Sequence, residues 1–106
     1  MELRQLEYFL KCAEKGSLTR AAEELYTTQP HVSQVIRALE RELGVALFRR
    51  TGSGIVLTED GERIRFYAQN AVKNTALIEE TGYVNEQFAL IHPGGAVGER
   101  LNKKSL

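Results

Sequence analysis

Two short amphipathic segments with almost no residues between them constrain this sequence more than any other feature. In residues 17–25 and 28–43, apolar side chains recur at intervals of three and four, as on one face of a helix. Two helices joined by so short a turn cannot lie parallel, and the pattern therefore predicts a helix-turn-helix. The second helix of such a pair has one face buried and the other presented outward, at a size that fits the major groove of duplex DNA.

The segments around this motif predict a winged form of it. A preceding helix is expected over residues 2–15, where apolar residues recur on one side of a helical wheel. After Gly44 the spacing of apolar residues falls to nearer two, which predicts a β-hairpin. The hairpin comprises a first strand over Val45–Arg50, a turn over residues 51–54 and a second strand over Ile55–Leu57. Residues 1–58 are thus expected to form a mainly α winged helix-turn-helix domain, with three helices and a hairpin wing.

The third helix is predicted to have one buried and one bare face. Thr28 caps it through its hydroxyl oxygen, and Pro30 occupies its first turn. The inward stripe consists of Val32, Ile36, Leu39 and Leu43. The opposite face carries Pro30, Gln34, Arg37, Ala38 and Arg41, with Gln29 and Ser33 on one flank and His31 on the other. Acidic residues lie only at the margins of this face, at Glu40 and Glu42, which suits a surface that approaches a polyanion.

Total charge does not identify a nucleic-acid binder here, because 14 basic and 14 acidic residues cancel. The distribution of charge is more informative. Residues 29–50 hold four arginines against two glutamates, and the arginines are Arg37, Arg41, Arg49 and Arg50. A local basic face of this kind can bind phosphate, although long-range steering toward DNA should be weak. The alternative interpretation of each arginine is a solvated surface charge or an ion pair with Glu40 or Glu42.

A fourth helix is predicted over residues 59–80, with Thr58 as its cap. Small or apolar residues in it alternate spacings of four and three, and they are Ile64, Ala68, Ala71, Thr75 and Ile78. This is the spacing of two helices packed side by side, and it predicts a linker helix that mediates dimerisation. In the alternative, the helix folds back on its own hairpin. Dimerisation is favoured because a second stripe of Tyr67, Val72 and Leu77 could serve the core of the monomer. Gly82 is expected to break the helix, and residues 81–106 are expected to form an irregular tail.

The sequence offers no constellation typical of catalysis or of metal binding. No nucleophile is paired with a base, and there is no P-loop and no HxxxH or CxxC pair of metal ligands. The lone Cys12 excludes an internal disulfide. Charge interrupts every apolar run, and the N-terminus lacks the features of a signal peptide. We therefore expect a cytoplasmic protein that is not an enzyme, uses no cofactor or metal and does not associate with membranes.

Several short stretches, taken in this order and register, resemble the N-terminal DNA-binding domain and linker helix of LysR-type transcriptional regulators. They lie within residues 1–80 and are Leu3–Phe9, Gly16–Ala22, Thr28–Pro30, Ser33 with Ile36, Leu39–Glu40, Glu42–Val45, Leu47–Gly52 and Leu57–Gly61. The resemblance implies a winged helix-turn-helix that binds double-stranded DNA as a dimer, or as a dimer of dimers. It also implies that the linker helices form the dimer contact.

Position by position, the resemblance implies that Gln29, Pro30 and Ser33 lie at the DNA surface, with the wing reaching toward the minor groove. The full candidate set is Thr28, Gln29, Pro30, His31, Ser33, Gln34, Arg37, Arg41, Arg49, Arg50 and Ser53. Two residues of this set, Gln34 and Ser53, depart from the family pattern. The family commonly has arginine at the first position and often a basic residue at the second. Each lost cation should lower the slope of the salt dependence of DNA binding by about one unit.

Family members continue into a much longer effector-binding domain, for which residues 81–106 are too few. No small-molecule effector site is therefore expected in this chain. The leading hypothesis is sequence-specific binding of duplex DNA by a homodimer that regulates transcription. The alternative is an interaction module that forms heterodimers with full-length relatives through the linker helix.

Overall fold

The computed structural model describes the backbone of residues 1–91 and the side chains of residues 1–82. The elements in chain order are α1 (Leu3–Lys15), α2 (Leu18–Glu24), α3 (Gln29–Leu43), β1 (Phe48–Thr51), β2 (Gly54–Leu57) and α4 (Glu59–Ile91). The two strands pair antiparallel as a hairpin. The predicted mainly α winged helix-turn-helix followed by a long helix is therefore confirmed.

Local capping interactions determine where the first three helices begin and end. Gly16 follows α1 in the left-handed conformation, with a φ of 62°. The Arg20 N–H donates to Ser17 Oγ at 3.2 Å at the start of α2. The His31 N–H donates to Thr28 Oγ1 at 3.3 Å at the start of α3. Each cap satisfies a backbone donor that has no partner within its helix, and the Thr28 cap agrees with the sequence prediction.

The core lies where α1, α2 and α3 converge. Its fully buried side chains are Phe9, Cys12, Ala21, Val32, Leu39 and Leu47. Val32, Ile36 and Leu39 are buried and Leu43 is partly buried, so the predicted inward stripe of α3 is confirmed. Packing of this stripe fixes the rotation of α3 about its axis, and hence the side chains that it presents outward.

The hairpin begins later in the chain than the sequence predicted. Its register pairs Phe48 with Leu57 and Thr51 with Gly54, so the first strand starts at Phe48 rather than at Val45. Leu47 lies outside the ladder because its N–H donates to the Glu40 carboxylate and its C=O accepts the Thr58 N–H. Arg49 and Arg50 consequently lie within β1, and the turn shortens to Gly52 and Ser53.

A close backbone approach holds the wing against the junction of α1 and α2. The Ile55 N–H donates to the Gly16 C=O at 3.0 Å. A Cβ on Gly54 would lie 2.2 Å from the Gly16 oxygen, and Gly54 has a φ of +155°. Only glycine fits this position without displacing one of the two backbones.

The fourth helix begins where the sequence predicts and ends later. Thr58 Oγ1 accepts the Gly61 N–H at 2.9 Å and caps the helix. The helix then continues through Gly82 to Ile91, which corrects the expected break near residue 80. A glycine within a helix costs only about 1 kcal/mol relative to alanine, and no proline occurs between residues 59 and 92 to stop the helix. The predicted tail over residues 92–106 lies outside the described residues.

The chain divides into two compact units, Met1–Val72 and Lys73–Leu106. The first unit contains the core, the wing and every candidate DNA-contacting residue. Over the described residues, no helix has the length and apolarity needed to cross a membrane.

Candidate nucleic-acid interface

The outward face of α3 remains bare in the folded chain. Gln34, Arg37 and Arg41 are exposed, whereas Val32 and Leu39 on the other side of the helix are fully buried. Neither the hairpin nor another described element covers these three polar side chains. The face is therefore available to a ligand.

All the candidate DNA-contacting residues are at least partly accessible. The exposed ones are Thr28, Pro30, His31, Gln34, Arg37, Arg41, Arg49, Arg50 and Ser53, and the half-buried ones are Gln29 and Ser33. They belong to two elements, α3 with its cap and the hairpin. The fold brings both elements to one side of the first unit, because they line a common groove.

This α3–wing groove has a volume of about 160 Å³. Its walls are Ser33, Arg37 and Glu40 from α3, Phe48, Arg49, Arg50 and Ile55 from the hairpin, and Leu18 from α2. Three of the predicted cations thus meet across it, and Ser33 supplies a hydroxyl beside them. Neither Arg41 nor Ser53 lines this groove. Arg41 lies further along α3, and Ser53 lies in the turn of the hairpin.

Glu40 and Glu42, the two glutamates of α3, contact groups other than the arginines of this helix. The Leu47 N–H donates to Glu40 Oε2 at 2.7 Å. The Glu42 carboxylate lies 2.9 Å from the ammonium group of Met1. Both acids that the sequence suggested as ion-pair partners of the arginines therefore contact other groups.

The arginines of the interface have no acidic partner in the described part of the chain. Within residues 1–82, no carboxylate oxygen lies within 4.0 Å of Arg37, Arg41, Arg49 or Arg50. The ion-pair interpretation of these four residues is therefore wrong for this structure. Each guanidinium retains its full complement of donors, and the geometry of those donors suits bidentate binding of phosphate.

Sequence analysis missed a second groove, on the other side of α3. Its walls are Met1, Glu2, Arg4 and Gln5 from the N-terminal segment and His31, Gln34, Val35, Ala38 and Glu42 from α3. Tyr8 of α1, whose ring contacts both Arg4 and His31 of this groove, is only 5% exposed. The His31 ring meets the Tyr8 ring edge to face, with centroids 5.8 Å apart. His31 therefore takes part in the contact between α1 and α3, although it remains exposed.

The predicted dimerisation residues have unequal surroundings. In the first unit, Ala68 is only 2% exposed and belongs to the core, while Ile64 and Ala71 pack against that core. Tyr67, which belongs to the second stripe predicted to serve the core of the monomer, is 70% exposed. The prediction for Tyr67 is therefore wrong, and Ala68 packs on the core of its own chain, because spacing alone does not specify which neighbour a helix face meets. The dimer contact of the predicted set stays a prediction.

The remaining members of that set belong to the second unit. Ile78 is 70% exposed, and its neighbour Leu77 is also exposed. Thr75 is half-buried. Ile78 is thus the member of the predicted set that presents most apolar surface to solvent.

The lone thiol is structural. Cys12 is fully buried, and burial raises its pKa to about 12. At neutral pH the group is a protonated thiol in the core, without the thiolate that nucleophilic chemistry requires. Among the described residues, no cluster of three or more histidine, cysteine or acidic side chains could hold a metal ion.

Comparison with known proteins identifies a matching family and matching structures. Residues 3–62 match the sequence model of the bacterial regulatory helix-turn-helix proteins of the lysR family. The chain is 44% identical over 80 residues to the RuBisCO operon transcriptional regulator of Allochromatium vinosum, a match that covers 76% of this chain and 26% of the relative. It thus spans about a quarter of the length of that relative.

Two isolated domains solved with DNA have the same fold. The DNA-binding domain of CbnR, in a complex with DNA, has a TM-score of 0.76 and 34% identity, covering 79% of this chain and 97% of that chain. The DNA-binding domain of BenM, in a complex with benA site 1 DNA, has a TM-score of 0.76 and 33% identity, covering 90% of this chain and all of that chain.

Proposed function

The chain belongs to the lysR family of bacterial regulatory helix-turn-helix proteins, and from this premise we propose that its residues 1–58 bind double-stranded DNA in a sequence-specific way. We propose further that this binding serves the regulation of transcription. One observation carries the proposal: the bare face of α3 and the wing present arginines that form no ion pair with an acid of the described chain. The likeness to two domains solved in complexes with DNA supports it.

The outward face of α3 supplies the groups that would read bases. A helix of ordinary diameter fills the major groove, so side chains from its first turns reach the base edges. Gln29 lies in the first turn of α3 and is half-buried, which restricts its amide group. The paired donor and acceptor of a glutamine side chain match the N7 and N6 groups of adenine.

Hydroxyl and guanidinium groups would bind the phosphates on either side of those bases. The Thr28 hydroxyl accepts the His31 N–H, so its own proton remains available to a phosphate oxygen. Ser33 lies beside Arg37 in the α3–wing groove. Arg37, Arg49 and Arg50 would contribute the electrostatic part of the binding free energy there.

Arg41 would extend these contacts along α3, and Ser53 would bring the turn of the wing to the minor groove. Serine at this tip adds a polar contact without a charge. Pro30 would contact bases through its apolar ring, since it is exposed in the first turn of the helix. Gln34 and His31 would face the duplex from the other side of α3.

We infer that the protein acts as a homodimer through α4. The exposed apolar side chains of this helix support the inference, and they are Phe66 and Tyr67 in the first unit and Leu77 and Ile78 in the second. Ile64 and Ala71 line an apolar pocket with Leu6 and Leu43 at the surface of the first unit. Ala68 forms the floor of this pocket and contributes little contact area of its own.

A heterodimer with a longer relative would use the same exposed side chains, and it is the alternative assembly. Mass measurement on a mixture of this chain with a longer family member distinguishes the two. Homodimers alone in the mixture support the proposed assembly, and mixed species support the interaction module.

Selection of bound sequences from a random duplex library tests the function itself. The proposal predicts an enriched sequence, whose affinity is then measured by fluorescence anisotropy for the wild type and for Arg37→Ala. This substitution should weaken binding at low salt and lower the slope of log affinity against log salt by about one.

Arg63→Ala is the matched control, because Arg63 is an exposed arginine that pairs with Asp60 at 2.6 Å on α4. It should leave both quantities unchanged. Recovery of no enriched sequence, together with no binding to any duplex, would contradict the proposed function.

A further inference from the structure

We propose that Arg4 of α1 binds a phosphate of the DNA backbone on the side of α3 opposite the wing. This inference rests on the proposed function and adds a residue outside the helix-turn-helix and its hairpin. If it holds, cations on both sides of α3 bind the duplex, Arg4 on one side and Arg49 and Arg50 on the other.

The two grooves beside α3 provide the geometry. Arg37, Arg49 and Arg50 line the α3–wing groove, whereas Arg4 lines the second groove together with His31 and Gln34. The major groove of B-DNA is about 12 Å wide, and a helix about 10–12 Å across occupies it from wall to wall. A helix in that position has a phosphate backbone along each of its sides, so the second groove of the protein faces a backbone of its own.

Arg4 is the cationic side chain of this second groove, and it forms no ion pair within residues 1–82. It is exposed, and among the described residues no carboxylate lies within 4.0 Å of its guanidinium. Glu42, at the other end of the groove, pairs with the Met1 ammonium. Glu2 is the remaining acid of the groove and forms no ion pair with Arg4, while Gln34 is uncharged.

Two aromatic contacts hold Arg4 in place relative to α3. The Arg4 Cζ lies 5.8 Å from the centroid of the Tyr8 ring, within the range of a cation–π contact. The same Tyr8 ring meets His31 edge to face, with an interplanar angle of 86°. Tyr8 is nearly fully buried and cannot move independently of α1 and α3.

This arrangement prepares Arg4 for a phosphate. A guanidinium over an aromatic face keeps its N–H donors free at the edge, where they can bind phosphate oxygens. The restricted side chain also loses less conformational entropy on binding than a free one. Tyr8 therefore acts as a positioning residue for Arg4, and His31 connects this pair to the first turn of α3.

The test measures the affinity of wild type, Arg4→Ala, Arg4→Lys and Arg63→Ala for the selected duplex and for a scrambled duplex, over a range of salt concentrations. Arg4→Ala should weaken binding to both duplexes by the same factor, about fivefold at low salt, and lower the salt slope by about one. Arg4→Lys should keep the wild-type slope, because it keeps the charge. Arg63→Ala should match the wild type.

Three results would overturn the inference. Wild-type affinity and slope in Arg4→Ala would remove Arg4 from the interface while leaving the proposed function intact. A loss confined to the selected duplex would make Arg4 a base-reading residue instead of a phosphate contact. Failure of the wild type to bind any duplex would remove the proposed function and this inference with it.

Discussion

The Leu47 N–H donates to the Glu40 carboxylate at 2.7 Å, and this bond links the last turns of α3 to the entry of the wing. Leu47 is fully buried, so its N–H has no access to water as an alternative partner. The same bond occupies Glu40 Oε2, and Glu40 forms no ion pair with the arginines on α3. One contact therefore links α3 to the wing and engages the acid that lines the α3–wing groove with Arg37.

Glu40→Ala should destabilise the protein by about 2 kcal/mol, because it leaves a buried N–H without its charged acceptor. Glu40→Gln should cost less, since its amide oxygen still accepts. Urea unfolding followed by circular dichroism measures both. Glu42→Ala is the matched control on the same helix, and it should change the free energy of unfolding by less than about 1 kcal/mol because its ion pair is exposed. Equal losses for Glu40→Ala and Glu42→Ala would contradict the role given to Glu40.

Gly61→Ala should destabilise the protein although it places a better helix former in α4. A Cβ at this position would lie 2.2 Å from the Leu47 oxygen and 3.0 Å from Leu57 Cδ2. Relieving that overlap should cost about 1–3 kcal/mol, against a propensity gain of about 1 kcal/mol. The melting temperature of the variant reports the difference.

Gly82→Ala provides the comparison, because nothing lies within 4 Å of its added Cβ. It should not lower the melting temperature. A rise in melting temperature for Gly61→Ala would show that the contact between α4 and the Leu47 segment is loose.

Cys12 should not react with iodoacetamide at pH 8 in the folded protein, because burial raises the pKa of its thiol to about 12. The thiol of an unfolded chain ionises near pH 8.5. Between pH 8.5 and 12, the folded state therefore binds the Cys12 proton more tightly than the unfolded state does. The contribution of Cys12 to stability is therefore complete below about pH 8.5 and is lost as pH rises through 12. Alkylation at pH 8 as fast as that of a free thiol would be inconsistent with this burial.

The comparison between wild type and Cys12→Ala isolates this effect from other groups that titrate in the same range. From pH 8.5 upward, the free energy of unfolding of the wild type should fall more steeply than that of the variant. If the two curves of unfolding free energy against pH run parallel, residues other than Cys12 cause the loss of stability at alkaline pH.

Ile78→Ser should weaken the proposed homodimer about tenfold in dissociation constant. Each copy contributes one Ile78 to the dimer. Burying the exposed apolar surface of this side chain should stabilise the dimer by about 1 kcal/mol or less per copy. Sedimentation equilibrium measures the change. Lys73→Ser, at another exposed position of α4, should have little effect. Identical dissociation constants for the two variants would exclude Ile78 from the contact.

Sequence reasoning succeeded where the determining interaction is local. The caps at Thr28 and Thr58 involve residues only three positions apart, and both were predicted from residue type. The inward stripe of α3 was likewise predicted from periodicity, because a single helix wheel contains that information. These features fix which polar side chains α3 presents outward.

Prediction failed where partners are distant in the chain. The start of β1 depends on the contacts of Leu47 with Glu40 and Thr58, and neither is visible in an alternating pattern. The spacing of small residues on α4 was clear, yet it did not reveal that Ala68 faces its own core. The assembly of Arg4, Tyr8 and His31 requires the packing of α1 against α3 and has no signature in the sequence of either helix.

An NMR titration of the ¹⁵N-labelled protein with its selected duplex tests most directly whether the bare face of α3 binds DNA. We predict that the largest amide shift changes fall in residues 28–41, in the wing around Arg49–Ser53 and at Arg4, with small changes in the core of the first unit. Saturable binding with changes confined to α4, and none in α3 or the wing, would contradict the proposed interface.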